Sequence, residues 1–409
     1  MKKFVYLCGM MLLSLNMMAQ FGLNDRNWDD ILIEDFNEPA SYWQWNLSTF
    51  TNPSYTWRAY PGSGVTHGLE HQVYQPSQCQ IDVANQYMKL VAEYDLQGRI
   101  PENDYDLPQW MLGPSGPGFP SSDGLYYFSG EIDYINRQPR TPEKGIFLYG
   151  YFEIRCKLPT HRGAFPAFWL YAADPESATD KFYEEIDIFE YSWSLGYPYA
   201  TWLHPVNPNP TYAGDPHVIT CGIYHNLTGE SPNDDHPDSY GRVYPNNMPD
   251  VGADFHVYGC EWMPDHVYWY FDGQLINSYT DLAHIPQHPL ILKTNYAIDV
   301  FAGRKINNVW YPEWFGTDVM TIDYINVYQL KWDCDTDETI TCQSDLDDFV
   351  YKVKKSISIT STGNEPIVSN TDKVTFRVTD FFEVTGPFEV QQGGEFTVLQ
   401  HDCPNDNNE

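Results

Sequence analysis

Apolar and polar positions alternate with a period of two over most of this chain of 409 residues, and helical periodicity is nearly absent. Gly, Pro and Asp separate the alternating runs, and Asp272-Gly273 between two of them predicts a tight β-hairpin. Many short strands joined in this way predict an all-β fold, an antiparallel two-sheet sandwich. The clearest predicted strands are 87–92, 150–158, 255–262, 267–271, 290–297 and 320–330.

The loops and the C-terminal part of the chain differ in composition from these runs. Segments 60–79 and 98–124 are rich in Pro, Gly, Asp and Ser, which predicts long loops that shape a binding face. Further on, an acidic stretch at 334–342 leads to a remainder rich in Val, Ile, Thr and Phe that still alternates with a period of two. We therefore predict a boundary near residue 332 and a small all-β module over 332–409, whose role is open between packing, spacing and sugar binding.

The balance of charge excludes one class of partner. The chain has 56 acidic and 23 basic residues, a formal net charge of -33, so it lacks the basic surface of a nucleic-acid binder. A hydrophobic fraction of 42% and an aromatic fraction of 16% also exclude an acidic disordered chain. The many Tyr, Phe and Trp rings either pack in the core or stack on sugar rings.

The N-terminus has the pattern of an export signal. Lys2 and Lys3 form a charged end, 4–15 is an apolar run, and 17–19 is a predicted cleavage region that ends in the small residue Ala19. We expect a signal peptide at 1–19 and a protein that is secreted, periplasmic or on the outer cell surface. The later sequence contains no apolar segment long enough to predict a membrane-spanning helix.

Cysteine usage fits an oxidising compartment without a dense disulfide framework. Seven cysteines follow the predicted signal peptide, so at least one of them stays unpaired. Cys156 and Cys260 lie in apolar strand patterns and are predicted to be buried core residues. Cys334, Cys342 and Cys403 lie in polar surroundings and are the better disulfide candidates.

The strongest chemical signal is a cluster of acids in one predicted strand. Alternation places Glu185 and Asp187 on one face, with Ile186 and Ile188 on the other. Glu190 joins that face only if the strand contains one extra, bulged residue. Three like charges in a row repel, whereas a glycosidase needs carboxylates with separated pKa values, held roughly 5 to 5.5 Å apart in a retaining enzyme. An exposed acidic strand and a calcium site are the alternatives.

The segment 185–190 resembles the active-site signature of glycoside hydrolase family 16, a group that includes laminarinases and agarases. Five further segments on both sides of it match the family in the family's order; they are 149–159, 163–170, 255–262, 295–297 and 322–328. The resemblance implies a concanavalin-like β-jelly roll over 24–331, with the substrate along its concave face. It also implies that the chain is a retaining endo-glycanase.

The resemblance assigns roles that the residues alone do not. It implies that Glu185 is the nucleophile, that Asp187 orients Glu185 and tunes its pKa, and that Glu190 is the general acid and then the general base. The spacing with one extra residue is typical of the laminarinase and galactanase branches.

Four further residues are predicted to bind substrate. Trp169 shares strand parity with Ala167 and Tyr171, and the resemblance places it in the cleft beside the cleaved bond; a core Trp is the alternative. Trp193 is either a stacking platform or a packing residue, and His225 is either a substrate ligand or a structural His. Asn295 lies in one of the matching motifs. The four predicted substrate-binding residues are Trp169, Trp193, His225 and Asn295.

No zinc-binding motif is present, so we expect no cofactor for catalysis. The family can hold a structural calcium ion, and Asp323 matches its acidic ligand. The predicted substrate is a β-1,3-glucan or a mixed-linkage β-1,3/1,4-glucan, with an algal or host galactan as the alternative. With only 23 basic residues, the chain offers few cations for a sulfated galactan. A noncatalytic sugar-binding sandwich and an adhesive surface protein are rival functions, and we expect a monomer.

Overall fold

The computed structural model describes residues 28–47, 50–60, 62–63, 71–94, 127–135, 147–161, 163–171, 183–193, 217–226, 240–243, 250–298, 303–306, 309–312, 314–363 and 365–403. The predicted signal peptide 1–19 and the predicted loop 98–124 lie outside these ranges, and the predicted loop 60–79 lies partly outside them. Within the described part of the chain, no helix is long and apolar enough to cross a membrane.

Twenty strands lie among the described residues up to Leu330. In chain order they are β1 (Trp28–Glu34), β2 (Trp57–Ala59), β3 (Gly62–Ser63), β4 (Gln72–Tyr74), β5 (Cys79–Asp82), β6 (Tyr87–Tyr94), β7 (Tyr127–Ser129), β8 (Glu131–Tyr134), β9 (Gly150–Lys157), β10 (Ala164–Tyr171), β11 (Tyr183–Trp193), β12 (His217–Asn226), β13 (Tyr240–Val243), β14 (His256–Trp262), β15 (Val267–Phe271), β16 (Gln274–Tyr279), β17 (Ile291–Ile298), β18 (Gly303–Ile306), β19 (Val309–Pro312) and β20 (Thr317–Leu330).

Two large sheets are built from these strands. The first, sheet A, has the order β16-β15-β14-β9-β20-β6-β7-β4-β3, with β1 paired to β20 and β5 paired to β6. The second, sheet B, has the order β13-β12-β11-β10-β17-β8-β2. All described pairs in the two sheets are antiparallel except β4 with β7. The predicted all-β sandwich of the jelly-roll class is confirmed.

The core lies between the two sheets. Strand alternation sends Phe152 and Ile154 of sheet A and Phe168 and Leu170 of sheet B into one apolar cluster. Cys156 and Cys260 are fully buried in the same cluster, as predicted. The face of each sheet B strand opposite to this core carries the polar residues considered below.

The predicted hairpin joins β15 to β16. Its two turn residues, Asp272 and Gly273, have φ angles of 44° and 81°. Both angles lie in the left-handed region, which matches the twist of an antiparallel pair and favours an Asp-Gly sequence.

The C-terminal residues form a different kind of β structure. Its elements are β21 (Trp332–Ile340), α1 (Gln343–Asp348), β22 (Val353–Ile359), β23 (Ile367–Val368), β24 (Lys373–Val384), β25 (Glu389–Val390) and β26 (Glu395–Gln400). The strands pair in parallel in the order β21-β22-β24-β26, and β23 pairs in parallel with β25. Lys373 pairs with Glu395 and Ile367 with Glu389, so these two pairs have the same offset along the chain.

This part has its own apolar cluster, centred on Ile357, Ile359 and Phe376. The disulfide Cys334–Cys403 ties its first strand to its last residues, with Cα atoms 6.1 Å apart. Cys342 is a free thiol, so two of the three predicted disulfide candidates pair. The boundary near residue 332 stays a prediction.

A third apolar cluster joins the sandwich to the C-terminal strands. It contains Trp28, Tyr151, Met263, Tyr328, Leu330 and Val353. Beside it, Arg377 from β24 lies over the ring of Trp28, at 5.6 Å from the centroid, and donates to His401 Nε2 at 2.6 Å. The C-terminal strands are therefore packed against sheet A through both apolar and charged contacts.

Candidate active site

The predicted bulge is present in β11. Across β10, Glu190 pairs with Ala167 and Asp187 with Trp169, and the register shifts between these pairs. On the other side, the register with β12 shifts between Asp187 and Glu190 as well. One extra residue therefore lies between the two acids, as the five-residue spacing from Glu185 requires.

The bulge separates the strand into an apolar face and an acidic face. Ile186, Ile188 and Phe189 are all buried in the sandwich core. Glu185 and Glu190 are half-buried on the opposite face, and Asp187 between them is only 1% exposed. The structure thus brings the three predicted catalytic carboxylates together on one face of sheet B.

Asp187 has the most perturbed environment of the three. Burial raises its pKa well above the ordinary value, and the charges of Glu190 and Glu185 and a hydrogen bond with Glu185 raise it further. A raised pKa favours the protonated form of Asp187, which donates towards Glu185. Its backbone carbonyl accepts a hydrogen bond from Trp269 Nε1 at 2.8 Å, which fixes this point of β11 from the core side.

The environments of the other two acids differ from each other. Thr220 on β12 donates its hydroxyl to Glu190 Oε2 at 3.3 Å. Tyr171 is the cross-strand neighbour of Glu185, and the pKa of its phenol is raised by burial and then by the charge of Glu185. The two half-buried carboxylates thus have different neighbours, which is the condition for separate acid and base roles.

Cross-strand pairing extends the site over four more residues. Asp187 pairs with Trp169, Trp169 with Lys293, Lys293 with Asp133, and Asp133 with Arg58. These residues lie on five neighbouring strands, spaced about 4.8 Å apart. They form a row across the face of sheet B, which we call the central row.

A second row runs beside the first. Thr220 pairs with Glu190, Glu190 with Ala167, Ala167 with Asn295, and Asn295 with Glu131. Asn295 and Glu131 therefore belong to the same face as the catalytic carboxylates.

Trp169 lies on this face, half-buried, and its indole is held at several points. Its Nε1 donates to Asn295 Oδ1 at 2.8 Å, and Asn295 Nδ2 in turn donates to Tyr74 Oη at 2.7 Å. The Lys293 ammonium lies over the indole ring, 5.4 Å from its centroid, and the Tyr171 ring is 5.3 Å away in an edge-on arrangement. Asn295, predicted to bind substrate, thus orients Trp169 in this structure.

A buried ionic cluster lies at the far end of the central row. Lys293 Nζ is 2.8 Å from Glu131 Oε1 and 2.8 Å from Asp133 Oδ1, and Asp133 also pairs with Arg58. Burial raises the pKa of Glu131 to about 7, against the lowering effect of Lys293. Despite burial, the charges of Arg58 and Lys293 lower the pKa of Asp133. The ammonium and guanidinium also lie over the ring of Tyr60, at 5.1 and 5.2 Å.

Sequence reasoning missed this cluster, although one signal was available. Glu131-Ile132-Asp133 has the same acid–apolar–acid alternation as Glu185-Ile186-Asp187. In both strands the Ile packs in the core and the acids share the opposite face.

Two predicted residues lie outside the described side chains. Trp193 and His225 have described backbones in β11 and β12, where they pair with His217 and Glu184. Their proposed contacts with substrate stay predictions.

The predicted calcium ligand Asp323 lies on β20. Asp323 is paired with the guanidinium of Arg155. Across the ranges that the structure describes, no group of three or more His, Cys, Asp or Glu side chains is placed to hold a metal ion. The calcium site therefore stays a prediction.

The chain is similar to several known proteins. The sequence model described as Glycosyl hydrolases family 16 matches residues 224–324. Endo-1,3-1,4-beta-glycanase EglC of Rhizobium meliloti (strain 1021) is 25% identical over 214 residues, which are 52% of this chain and 37% of that protein. Kappa-carrageenase of Pseudoalteromonas carrageenovora is 30% identical over 194 residues, 44% of this chain and 43% of that protein.

The chain is also similar to solved structures. The catalytic domain of an endo-1,3-beta-glucanase (laminarinase) from Thermotoga petrophila RKU-1 is 21% identical with a TM-score of 0.46, over 75% of this chain and 99% of that one. Against the curated relatives the coverage is smaller, since the chain spans less than half the length of EglC or of the carrageenase.

Proposed function

We propose that the chain, which is similar to glycosyl hydrolases family 16, is a retaining endo-β-glycanase that hydrolyses a polysaccharide. The observation that carries this proposal is the bulge in β11, which puts Glu185, Asp187 and Glu190 on one face of sheet B. A sandwich core would not tolerate such a row of acids, and hydrolysis of a glycosidic bond requires at least two of them.

In the proposed mechanism the two half-buried acids act in turn. Glu190, as a carboxylic acid, protonates the oxygen of the bond that breaks, while the Glu185 carboxylate attacks the anomeric carbon and forms a glycosyl-enzyme. Glu190, now a carboxylate, then takes a proton from water. That water attacks the anomeric carbon, releases Glu185 and gives a product of retained configuration.

Asp187 supports this sequence without touching the sugar. Burial and the charges of Glu190 and Glu185 raise its pKa, which favours its neutral, proton-donating form. Its proton is donated towards Glu185, and a hydrogen bond to the charged form of an acid favours that form. Asp187 thus helps to keep Glu185 ionised and ready for attack.

For the substrate we propose a β-1,3-glucan or a mixed-linkage β-1,3/1,4-glucan. The similarity to an endo-1,3-1,4-beta-glycanase supports it. The similarity to a kappa-carrageenase favours an endo-galactanase as the second candidate. We also propose that the enzyme is exported, on the basis of the signal pattern at 1–19.

Incubation with laminarin, mixed-linkage glucan, agarose, carrageenan and mucin glycans tests both candidates, with product sizes measured over time. Proton NMR of the first-formed anomer tests the mechanism, since a retaining enzyme gives the β-anomer from a β-linked substrate. The control is Glu185→Ala, which should be inactive on the same glycan. Binding without hydrolysis across the whole panel would instead identify a noncatalytic sugar-binding protein.

A further inference from the structure

Lys293 occupies an unusual place for a lysine. It is the third member of the central row, with Trp169 as its cross-strand neighbour on β10 and Asp133 as its neighbour on β8. Trp169 in turn is the neighbour of Asp187. Lys293 is therefore two strands, or about 10 Å, from the catalytic strand.

The ammonium of Lys293 is held in one place. Its side chain is 11% exposed, and its two carboxylate partners, Glu131 and Asp133, are 6% and 0% exposed. Arg58 completes the charges by pairing with Asp133. The ammonium of Lys293 is thus engaged with two buried carboxyl groups and is not exposed to an anionic substrate.

The fixed ammonium acts on the neighbouring rings. It lies 5.4 Å from the centroid of the Trp169 ring and 5.1 Å from that of Tyr60, both within the range of a cation–π contact. Asn295 holds the Trp169 ring at its Nε1 edge. Together, Lys293 and Asn295 fix the plane and the rotation of the indole.

We propose that Lys293 is a positioning residue, which sets the Trp169 ring for the sugar bound beside Glu185. Binding of a sugar by a ring depends on the ring being held in the productive orientation before the sugar arrives, since ordering it afterwards weakens binding. Lys293 acts through Trp169 and not by contacting the substrate itself. The inference rests on the proposed glycanase function.

The first test is kinetic and uses two variants. Lys293→Met removes the ammonium but leaves two buried carboxylates with one guanidinium, which destabilises a fold. Lys293→Met with Glu131→Gln removes one positive and one negative charge and keeps the Arg58–Asp133 pair. In the charge-balanced variant KM should rise roughly three- to tenfold, because a modest cation–π contact is lost. The kcat should stay within about twofold, because Glu185, Asp187 and Glu190 are unchanged.

A matched control is available in the C-terminal strands. Lys354 is also 11% exposed and also contacts two carboxylates, Asp333 at 2.8 Å and Glu338 at 3.3 Å. Lys354→Met should leave KM unchanged. In a Trp169→Ala background, the Lys293 substitution should add less than a twofold change in KM.

The second test does not depend on activity. Selective ¹⁵N labelling of tryptophan gives one indole N–H signal per ring, and Trp169→Phe identifies the signal of Trp169. In the charge-balanced variant this signal should shift or broaden, while in Lys354→Met it should not. An unchanged signal overturns the inference about Lys293, whether or not the wild-type protein hydrolyses a glycan. A wild-type protein that hydrolyses no glycan refutes the proposed function.

The kinetic outcomes also separate the two proposals. An active wild-type enzyme whose KM is the same in the charge-balanced variant keeps the proposed function and refutes the role of Lys293. A rise in KM that persists in full after Trp169→Ala refutes it too, since Lys293 would then contact the substrate directly.

Discussion

Replacing Asp187 with Asn tests whether this carboxyl group carries a proton in the folded protein. Asp187 is 1% exposed, and burial and the charges of Glu190 and Glu185 raise its pKa well above the ordinary value. A carboxyl group with a raised pKa in the folded state contributes stability that is fully present below its unfolded-state pKa of about 3.9. That contribution is lost as the pH rises towards the folded-state pKa.

The size of the effect follows from one titrating proton. The slope is at most about 1.4 kcal/mol per pH unit, so between pH 4.5 and pH 7 the wild-type protein should lose up to roughly 3 kcal/mol of unfolding free energy that Asp187→Asn does not lose. Denaturant unfolding of both proteins at half-unit steps of pH measures the difference directly. The advantage of the Asn variant should grow steadily with pH.

Asp82 supplies the control for this experiment. Hydrogen bonds from Lys89 and Asn85 lower the pKa of Asp82 to about 2, so its titration lies below the chosen pH window. The unfolding free energies of wild type and Asp82→Asn should therefore differ by a constant amount from pH 4.5 to pH 7. A difference between wild type and Asp187→Asn that is equally flat, or that shrinks as the pH rises, would show that Asp187 is ionised and refute the reasoning.

The same variant bears on activity. An Asn side chain can still donate a hydrogen bond towards Glu185, so Asp187→Asn should reduce kcat by less than Glu185→Ala does. Asp187→Ala, which removes the donor, should fall between the two.

The remaining predictions concern the nucleophile and the acid, the aromatic ring and the disulfide. Glu185→Ala should abolish turnover, and azide should rescue it with a product of inverted configuration. Glu190→Ala should give an azide product of retained configuration from a substrate with a good leaving group. NMR of the products measures the configuration, and the opposite pattern would exchange the two roles. Trp169→Ala should lower kcat/KM by an amount that corresponds to about 1 to 3 kcal/mol of transition-state stabilisation. Unchanged kinetics with reduced stability would assign the ring to the core instead. Replacing Cys334 and Cys403 by Ser opens a loop with a sequence separation of 69 residues and should cost about 4 kcal/mol in denaturant unfolding, with the hydrolysis rate unchanged. A loss under 1 kcal/mol would contradict the loop-entropy argument.

The sequence was enough to predict the bulge because the signal is local. Glu185, Asp187 and Glu190 lie within six residues, and period-two alternation states which spacing needs an extra residue. The sandwich class was predictable for the same reason, since each strand carries its own alternation.

The ionic cluster could not be predicted in the same way. Arg58, Asp133 and Lys293 come from three distant parts of the chain, and only the order and register of sheet B make them neighbours. Parallel pairing in the C-terminal strands was equally hidden. Alternation has a period of two in parallel and antiparallel strands alike, so it predicts a strand without predicting the direction of its partner.

The charges of the central row and of the second row beside it affect the choice between glucan and galactan. Burial and neighbouring charges raise the pKa of Asp187, and Lys293 and Arg58 pair with Glu131 and Asp133. In the proposed mechanism Glu185 is a carboxylate, so the charge beside the cleaved bond is negative. Such a face repels sulfate groups and offers them no unpaired cation among these residues, whereas an uncharged sugar meets rings and hydrogen-bonding groups. The pairing of Lys293 and Arg58 with carboxyl groups therefore supports the proposed neutral glucan over a sulfated galactan.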